Sequence, residues 1–148
     1  IGEEIASFND ATSLRIAGEG ETALSIHIPA IGALKEEECR ESIALSDPFF
    51  KKHFPDFSWT FTFSHSWLFD PQLAERMPDS NVARFQKFFY LYDFPGAGDA
   101  QFYERIFGNT QKPDLATVPQ TTLQKVILDH LRDGGEWKMR GAICLRAK

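Results

Sequence analysis

The chain has 148 residues, enough for one domain with a proper core, and its 14% aromatic content, with 14 Phe, argues against disorder. A net charge of −5 without a basic run argues against a nucleic-acid surface. No apolar stretch approaches the roughly 18 residues of a membrane span, and no charged-then-apolar leader opens the chain, so a cytoplasmic protein without a membrane partner is expected.

The chain begins at Ile1, mid-pattern and without Met. It reads as one domain over residues 1–148, a piece of a longer protein. Ser13 to Ala17 looks strand-like, and Gly18-Glu19-Gly20 signals a turn. Thr22 to Ile28 alternates, with Leu24, Ile26 and Ile28 on one face and Ala23, Ser25 and His27 on the other, which predicts a strand. A hairpin across the Gly-rich turn is the simplest pairing. Pro29 to Leu34 reads as a loop.

From Lys35 the pattern is helical, with Cys39 and Ile43 one turn apart and acidic residues in the first turn, where the helix dipole favours them. Asp47-Pro48 breaks it into two short helices or one kinked at Pro48. Phe57 to His65 alternates most clearly. Phe57, Trp59, Phe61, Phe63 and His65 share one face and Ser58, Thr60, Thr62 and Ser64 the other, so a strand with Phe61 buried is predicted. Short helices follow from Asp70-Pro71 and from Ser80. Phe88 to Tyr92 reads as an apolar strand interior to the sheet.

Asp99 is positioned to cap a helix carrying Phe102, Ile106 and Phe107, which Gly108 stops. Thr121 with Gln124 makes a capping-box pattern, and Gly134-Gly135 ends the helix behind it. Trp137 to Leu145 alternates as a terminal strand. The unit from Thr22 to His65 should be a parallel strand–helix–strand crossover. The fold class is therefore α/β (α+β): a mixed sheet with helices on both faces. Cys39 and Cys144 read as two buried thiols in a reducing compartment rather than a disulfide framework.

Five segments stand in a recognisable order: Leu24 to Leu34 (LSIHIPAIGAL), His53 to Asp56 (HFPD), Ser64 to Leu73 (SHSWLFDPQL), Asp79 to Phe89 (DSNVARFQKFF) and Thr121 to Gly135 (TTLQKVILDHLRDGG). Together they resemble the C-terminal domain of bacterial GNAT-like acyltransferases, over roughly residues 22 to 145. The resemblance implies a GNAT-like fold, in which two central parallel strands splay apart. It also implies acetyl-CoA or another acyl-CoA as donor, direct attack by an amine on the thioester, and an upstream N-terminal acyltransferase domain as partner in the same protein. The acceptor would be a small-molecule or peptide amine.

In such a sheet ligands gather at the C-terminal ends of parallel strands. His27 and His65 stand at the ends of the two predicted parallel strands, with Ser66 beside the second, so all three are candidate catalytic residues. An imidazole there can deprotonate an ammonium near neutral pH. A strand-end histidine serves equally well to satisfy a backbone carbonyl. Ile31, Gly32 and Ala33 form the candidate phosphate-binding loop, but it has one Gly and no basic lead residue. Glu36, Glu37 and Glu38 follow it, and each would oppose a phosphate about 6 Å away by about 2–3 kcal/mol before screening, at an effective dielectric near 20. Tyr90, Tyr92 and Tyr103 are candidate acids, although their aromatic surroundings read as core. His53 reads as a solvated helix end and His130 as a satisfied buried side chain. The four scattered His and two Cys have no metal-ligand spacing, so no metal is expected. A non-catalytic GNAT-like scaffold that packs on an upstream domain or a partner remains the alternative to an enzyme.

Overall fold

A computed structural model of the chain describes residues 18–29, 32–94 and 100–145. In chain order it contains β1 (Ala23–Ser25), α1 (Glu36–His53), β2 (Phe61–Ser66), a 3-10 turn (Trp67–Phe69), α2 (Pro71–Arg76), α3 (Asn81–Gln86), β3 (Tyr90–Asp93), α4 (Ala100–Phe107), α5 (Thr122–Arg132) and β4 (Arg140–Leu145). The strands form one mixed sheet in the order β1-β2-β4-β3. β1 and β2 run parallel, as the helix-length crossover requires, and β4 is antiparallel to both β2 and β3. Among the described residues no helix is long and apolar enough to cross a membrane.

The predicted hairpin partner Ser13–Ala17 and the Asp99 cap lie outside the described residues. Elsewhere the strands are shorter than their alternation suggests. Trp59 leaves the strand pattern and is buried against Phe50 and Phe57, with ring centroids 5.3 and 5.9 Å away. Phe88 to Tyr92 is not interior: β3 starts at Tyr90 and is an edge strand, because β4 returns between it and β2. α1 is one 18-residue helix that runs through Pro48. Cys39 and Cys144 are free but only half-buried.

The faces of β2 are the reverse of the expected ones. Thr62 and Ser64 are buried, whereas Phe61 and Phe63 are half-exposed. The cause is the pairing on both sides of β2. Thr62 Oγ1 donates to the Cys144 carbonyl at 3.2 Å and Ser64 Oγ to the Ile26 carbonyl at 2.8 Å. A buried hydroxyl costs little once its hydrogen bond is made. On that face Phe69, Phe85, Phe89 and Ala142 form a core with half-buried Ile26, Cys39 and Ile43, so α1 and α3 cover it.

A second core lies around α2, α4 and α5, where Leu73, Phe102, Tyr103, Ile127, Leu131 and Trp137 are all buried. Each fully buried large apolar side chain there contributes about 1.5–3 kcal/mol. His130 is buried beside it as a satisfied side chain. Arg76 Nη2 donates to its Nδ1 at 2.8 Å, which leaves Nε2–H to donate to the Glu136 carbonyl at 3.2 Å.

The two ends of α5 show local sequence acting directly. Thr121 Oγ1 accepts from the Gln124 N–H. Gly134 N–H and Gly135 N–H return to the carbonyls of Leu131 and His130, with Gly134 at φ +80°. That pair of bonds is a Schellman ending, which only a residue tolerant of positive φ completes without strain.

Candidate functional site

β1 and β2 part at their C-terminal ends. The last backbone rung joins Ile26 N–H to the Phe63 carbonyl at 2.8 Å, and beyond it the Ser64 hydroxyl holds the Ile26 carbonyl. A cleft of about 520 Å³ opens there, lined on one side by Ile26 to Pro29 and Gly32 to Leu34 and on the other by Ser64 to Leu68. Asn81, Val82 and Arg105 complete its wall. A second cavity of about 320 Å³ shares the wall of Ile26 to Pro29 and Gly32 to Leu34 and continues between Glu38, Cys39, Ser42, Ile43 and Phe85.

His27 and His65 both line the first cleft, as their positions at two parallel strand ends imply. His27 is exposed and lines the second cavity as well. His65 is half-buried. Its Nε2 lies 3.0 Å from Tyr92 Oη, and its ring stacks on Phe94 with centroids 3.9 Å apart. When Nε2–H donates to Tyr92, Nδ1 carries the free lone pair; when the phenol donates to Nε2, Nδ1 carries the proton. Burial pushes the Tyr92 phenol above its usual range, so it stays protonated around neutral pH.

Ser66 also lines the cleft, and its Oγ accepts from the Leu68 N–H as the cap of the 3-10 turn. Of the candidate phosphate loop, Gly32 and Ala33 line the cleft, and Ile31 lies outside the described residues.

The acidic start of α1 is less repulsive than its sequence suggests. Arg40 pairs with Glu36 at 3.0 Å and Lys35 with Glu38 at 2.7 Å. The hydrogen bond and charge of Glu38 in turn hold the Lys35 ammonium above its usual range. Two of the three carboxylates are thus partly neutralised, at solvent-exposed positions where screening weakens the rest.

The three tyrosines divide. Tyr103 is core, as expected, but Tyr90 and Tyr92 are exposed on the open face of the sheet, because β3 is an edge strand. The Tyr92 ring lies against Gly141 so closely that a Cβ there would fall 2.1 Å from it. His53 is exposed, with its ring against Phe49. Among the described residues no three His, Cys, Asp or Glu side chains gather as a metal site requires.

Sequence reasoning missed Arg105 and the Tyr92–His65 contact. Alternation puts Tyr90 and Tyr92 on one face, but the register that brings Tyr92 to His65 through Gly141 is set by β4, some fifty residues downstream. Nothing local to α4 signals that Arg105 reaches the cleft.

A mixed sheet whose parallel pair parts around a cleft is the architecture of GNAT-like acyltransferases. The chain belongs to the GNAT-like C-terminal domain family, whose model matches residues 4–143. Among solved structures it is similar to an acyltransferase in complex with decanoyl-CoA, at 32% identity and a TM-score of 0.76, over 90% of this chain and 43% of that one. It is similar also to an acyltransferase in complex with decanoyl-CoA and teicoplanin (30% identity, TM-score 0.75, 90% of this chain and 43% of that one). An acyltransferase mutant in complex with octanoyl-CoA is 29% identical, with a TM-score of 0.77, over 91% of this chain and 44% of that one. The chain thus spans less than half the length of these structures. No curated protein matches it.

Proposed function

We propose that the chain is the acyl-CoA-binding domain of an N-acyltransferase, which moves an acyl group from the CoA thioester to an amine. The observation that carries this reading is the cleft between the parted ends of β1 and β2, with two imidazoles on its walls. The similar acyltransferases, crystallised with decanoyl-CoA or octanoyl-CoA, support the donor class. In this reading His65 Nδ1 or His27 takes a proton from the acceptor ammonium. The free amine attacks the thioester carbon and the C–N bond forms; the C–S bond then breaks, the departing thiolate takes the second proton that the nitrogen sheds, and the imidazolium returns the first to solvent. Ser66 would lend its hydroxyl to the polar end of the site. The loop of Ile31, Gly32 and Ala33 would offer backbone N–H groups to the donor.

The teicoplanin complex of a similar acyltransferase makes an amine on a glycopeptide one candidate acceptor class, beside small-molecule and peptide amines. An upstream N-terminal acyltransferase domain of the same protein is the expected partner, consistent with the share of the similar chains that this one spans.

The test is calorimetry of the chain against acetyl-, octanoyl- and decanoyl-CoA, followed by transfer assays on the longer protein. Saturable binding of at least one donor is expected. His65→Ala should then lower turnover by about 10²–10⁴-fold while shifting folding stability by no more than about 1 kcal/mol. Absence of binding for every donor would favour the scaffold reading. A His65→Ala protein that loses stability but keeps full turnover would remove His65 from the chemistry.

A further inference from the structure

We infer that Arg105 is the cation that holds the phosphate-bearing portion of acyl-CoA. The inference rests on the donor class proposed above and adds where the charge of that donor is met. The sequence poses the problem: the loop from Ile31 to Leu34 carries no basic residue, and the helix behind it opens with three carboxylates. A donor with several phosphate charges needs a counter-charge from elsewhere. Lys35, at the end of the loop, is tied to Glu38.

Arg105 supplies what the loop lacks. It comes from α4, some seventy residues downstream, and lines the 520 Å³ cleft beside Asn81 and Val82, on the same cavity as Gly32 and Ala33. Its side chain also differs from the other described arginines in having no partner among the described residues. Arg40 pairs with Glu36. Arg76 meets His130 and Asp133. Arg84 donates to the Asp79 carbonyl, Arg132 to Asp129 and Leu115, and Arg140 pairs with Asp93. Among the described residues the Arg105 side chain has no hydrogen bond or ion pair. An arginine without a partner among the described residues, at the wall of the 520 Å³ cleft, is free to make a forked, charge-assisted contact with phosphate oxygens, which a lysine would make as a point charge.

The arrangement also orients the donor. Arg105 lines the first cleft only, whereas the second cavity is lined by Ile26, Ile28, Leu34, Ile43 and Phe85 with Glu38 at its rim. Phosphates are drawn to the first, while no Lys or Arg lines the second, so the acyl tail is the part directed toward α1.

The experiment compares CoA with pantetheine, which lacks every phosphate, on the 148-residue chain and its Arg105→Gln and Arg105→Lys variants. Calorimetry at two salt concentrations reads the dissociation constants. Arg105→Gln should weaken CoA binding by about 10-fold or more, leave pantetheine binding unchanged, and flatten the salt dependence. Arg105→Lys should fall between, since it keeps the charge and loses the fork. Unchanged CoA binding by Arg105→Gln would overturn the assignment and leave the donor class standing. An equal loss of CoA and pantetheine would also overturn it, by showing a general disturbance of the cleft. If the parent chain binds neither compound, the donor class fails and this inference with it.

Discussion

Thr62 and Ser64 decide which side of β2 is core. Hydrophobicity alone assigns the interior to the Phe61 face, and the structure assigns it to the hydroxyls, because each finds a carbonyl on a neighbouring strand. Phe69, with no exposed surface, packs edge-on to Phe89 with ring centroids 5.0 Å apart. Phe69→Ala should therefore cost about 3–5 kcal/mol, whereas Phe61→Ala, at a half-open site, should cost about 1–2 kcal/mol. Urea unfolding of the two variants checks the order, and a larger loss at Phe61 would return the core to the aromatic face. The site residues were legible to different degrees for the same kind of reason. That His27 and His65 meet one cleft follows from a parallel crossover, which sequence pattern reveals. Arg105 and the Tyr92 contact depend on packing between distant segments, which no local pattern encodes.

Beside the cleft residues that two of them carry, the segments that make the family recognisable act at the scale of elements, where their work is structural. In Ser64 to Leu73, Asp70 caps α2 by accepting from the Gln72 N–H at 3.0 Å, and Pro71 takes the first helical position. The second Asp70 oxygen accepts from the Lys138 N–H at 2.8 Å, which ties the approach of β4 to α2. In Asp79 to Phe89, Gln86 donates to the carbonyls of Leu68 and Asp70, locking α3 to the same knot. Asp70 is almost fully buried, so Asp70→Ala would strand two backbone donors at once. A loss of about 2–5 kcal/mol is expected, with Asp70→Asn losing less because its carbonyl still accepts. A denaturation midpoint unmoved by Asp70→Ala would show that the knot is not holding the elements together. Caps of this kind were readable because their partners lie within three residues. Strand ends were not: Trp137 and Met139 continue the alternation of β4, yet Trp137 is drawn out of the sheet into the second core.

Across the whole molecule, the order of strands and helices and the mixed sheet were legible, since they follow from alternation and connection length. The sequence could not show which strand lies at the edge, because that depends on where β4 inserts. The two thiols give the fold a dependence on alkali. Burial raises both Cys39 and Cys144 above the ordinary thiol value of 9.0, so the folded state holds the proton more tightly than the unfolded chain does. Their contribution to stability is fully present below pH 9.0. It is lost as pH rises through the raised values. Melting curves from pH 7 to 11 should show a fall above pH 9 that is smaller in a Cys39→Ala, Cys144→Ala double variant, and an equal fall in both would remove the thiols as its cause. The parting of β1 from β2 has a mechanical consequence as well. Below Ile26 the two strands are joined by backbone rungs, and above it by one side-chain hydroxyl, so the seam behaves like a zip whose slider rests at Ser64. Widening the mouth breaks that bond, worth about 1 kcal/mol, and loosens Ile28 and Leu34 from the core beneath, but it leaves every rung intact, so the aperture can change girth without unzipping the sheet that frames it.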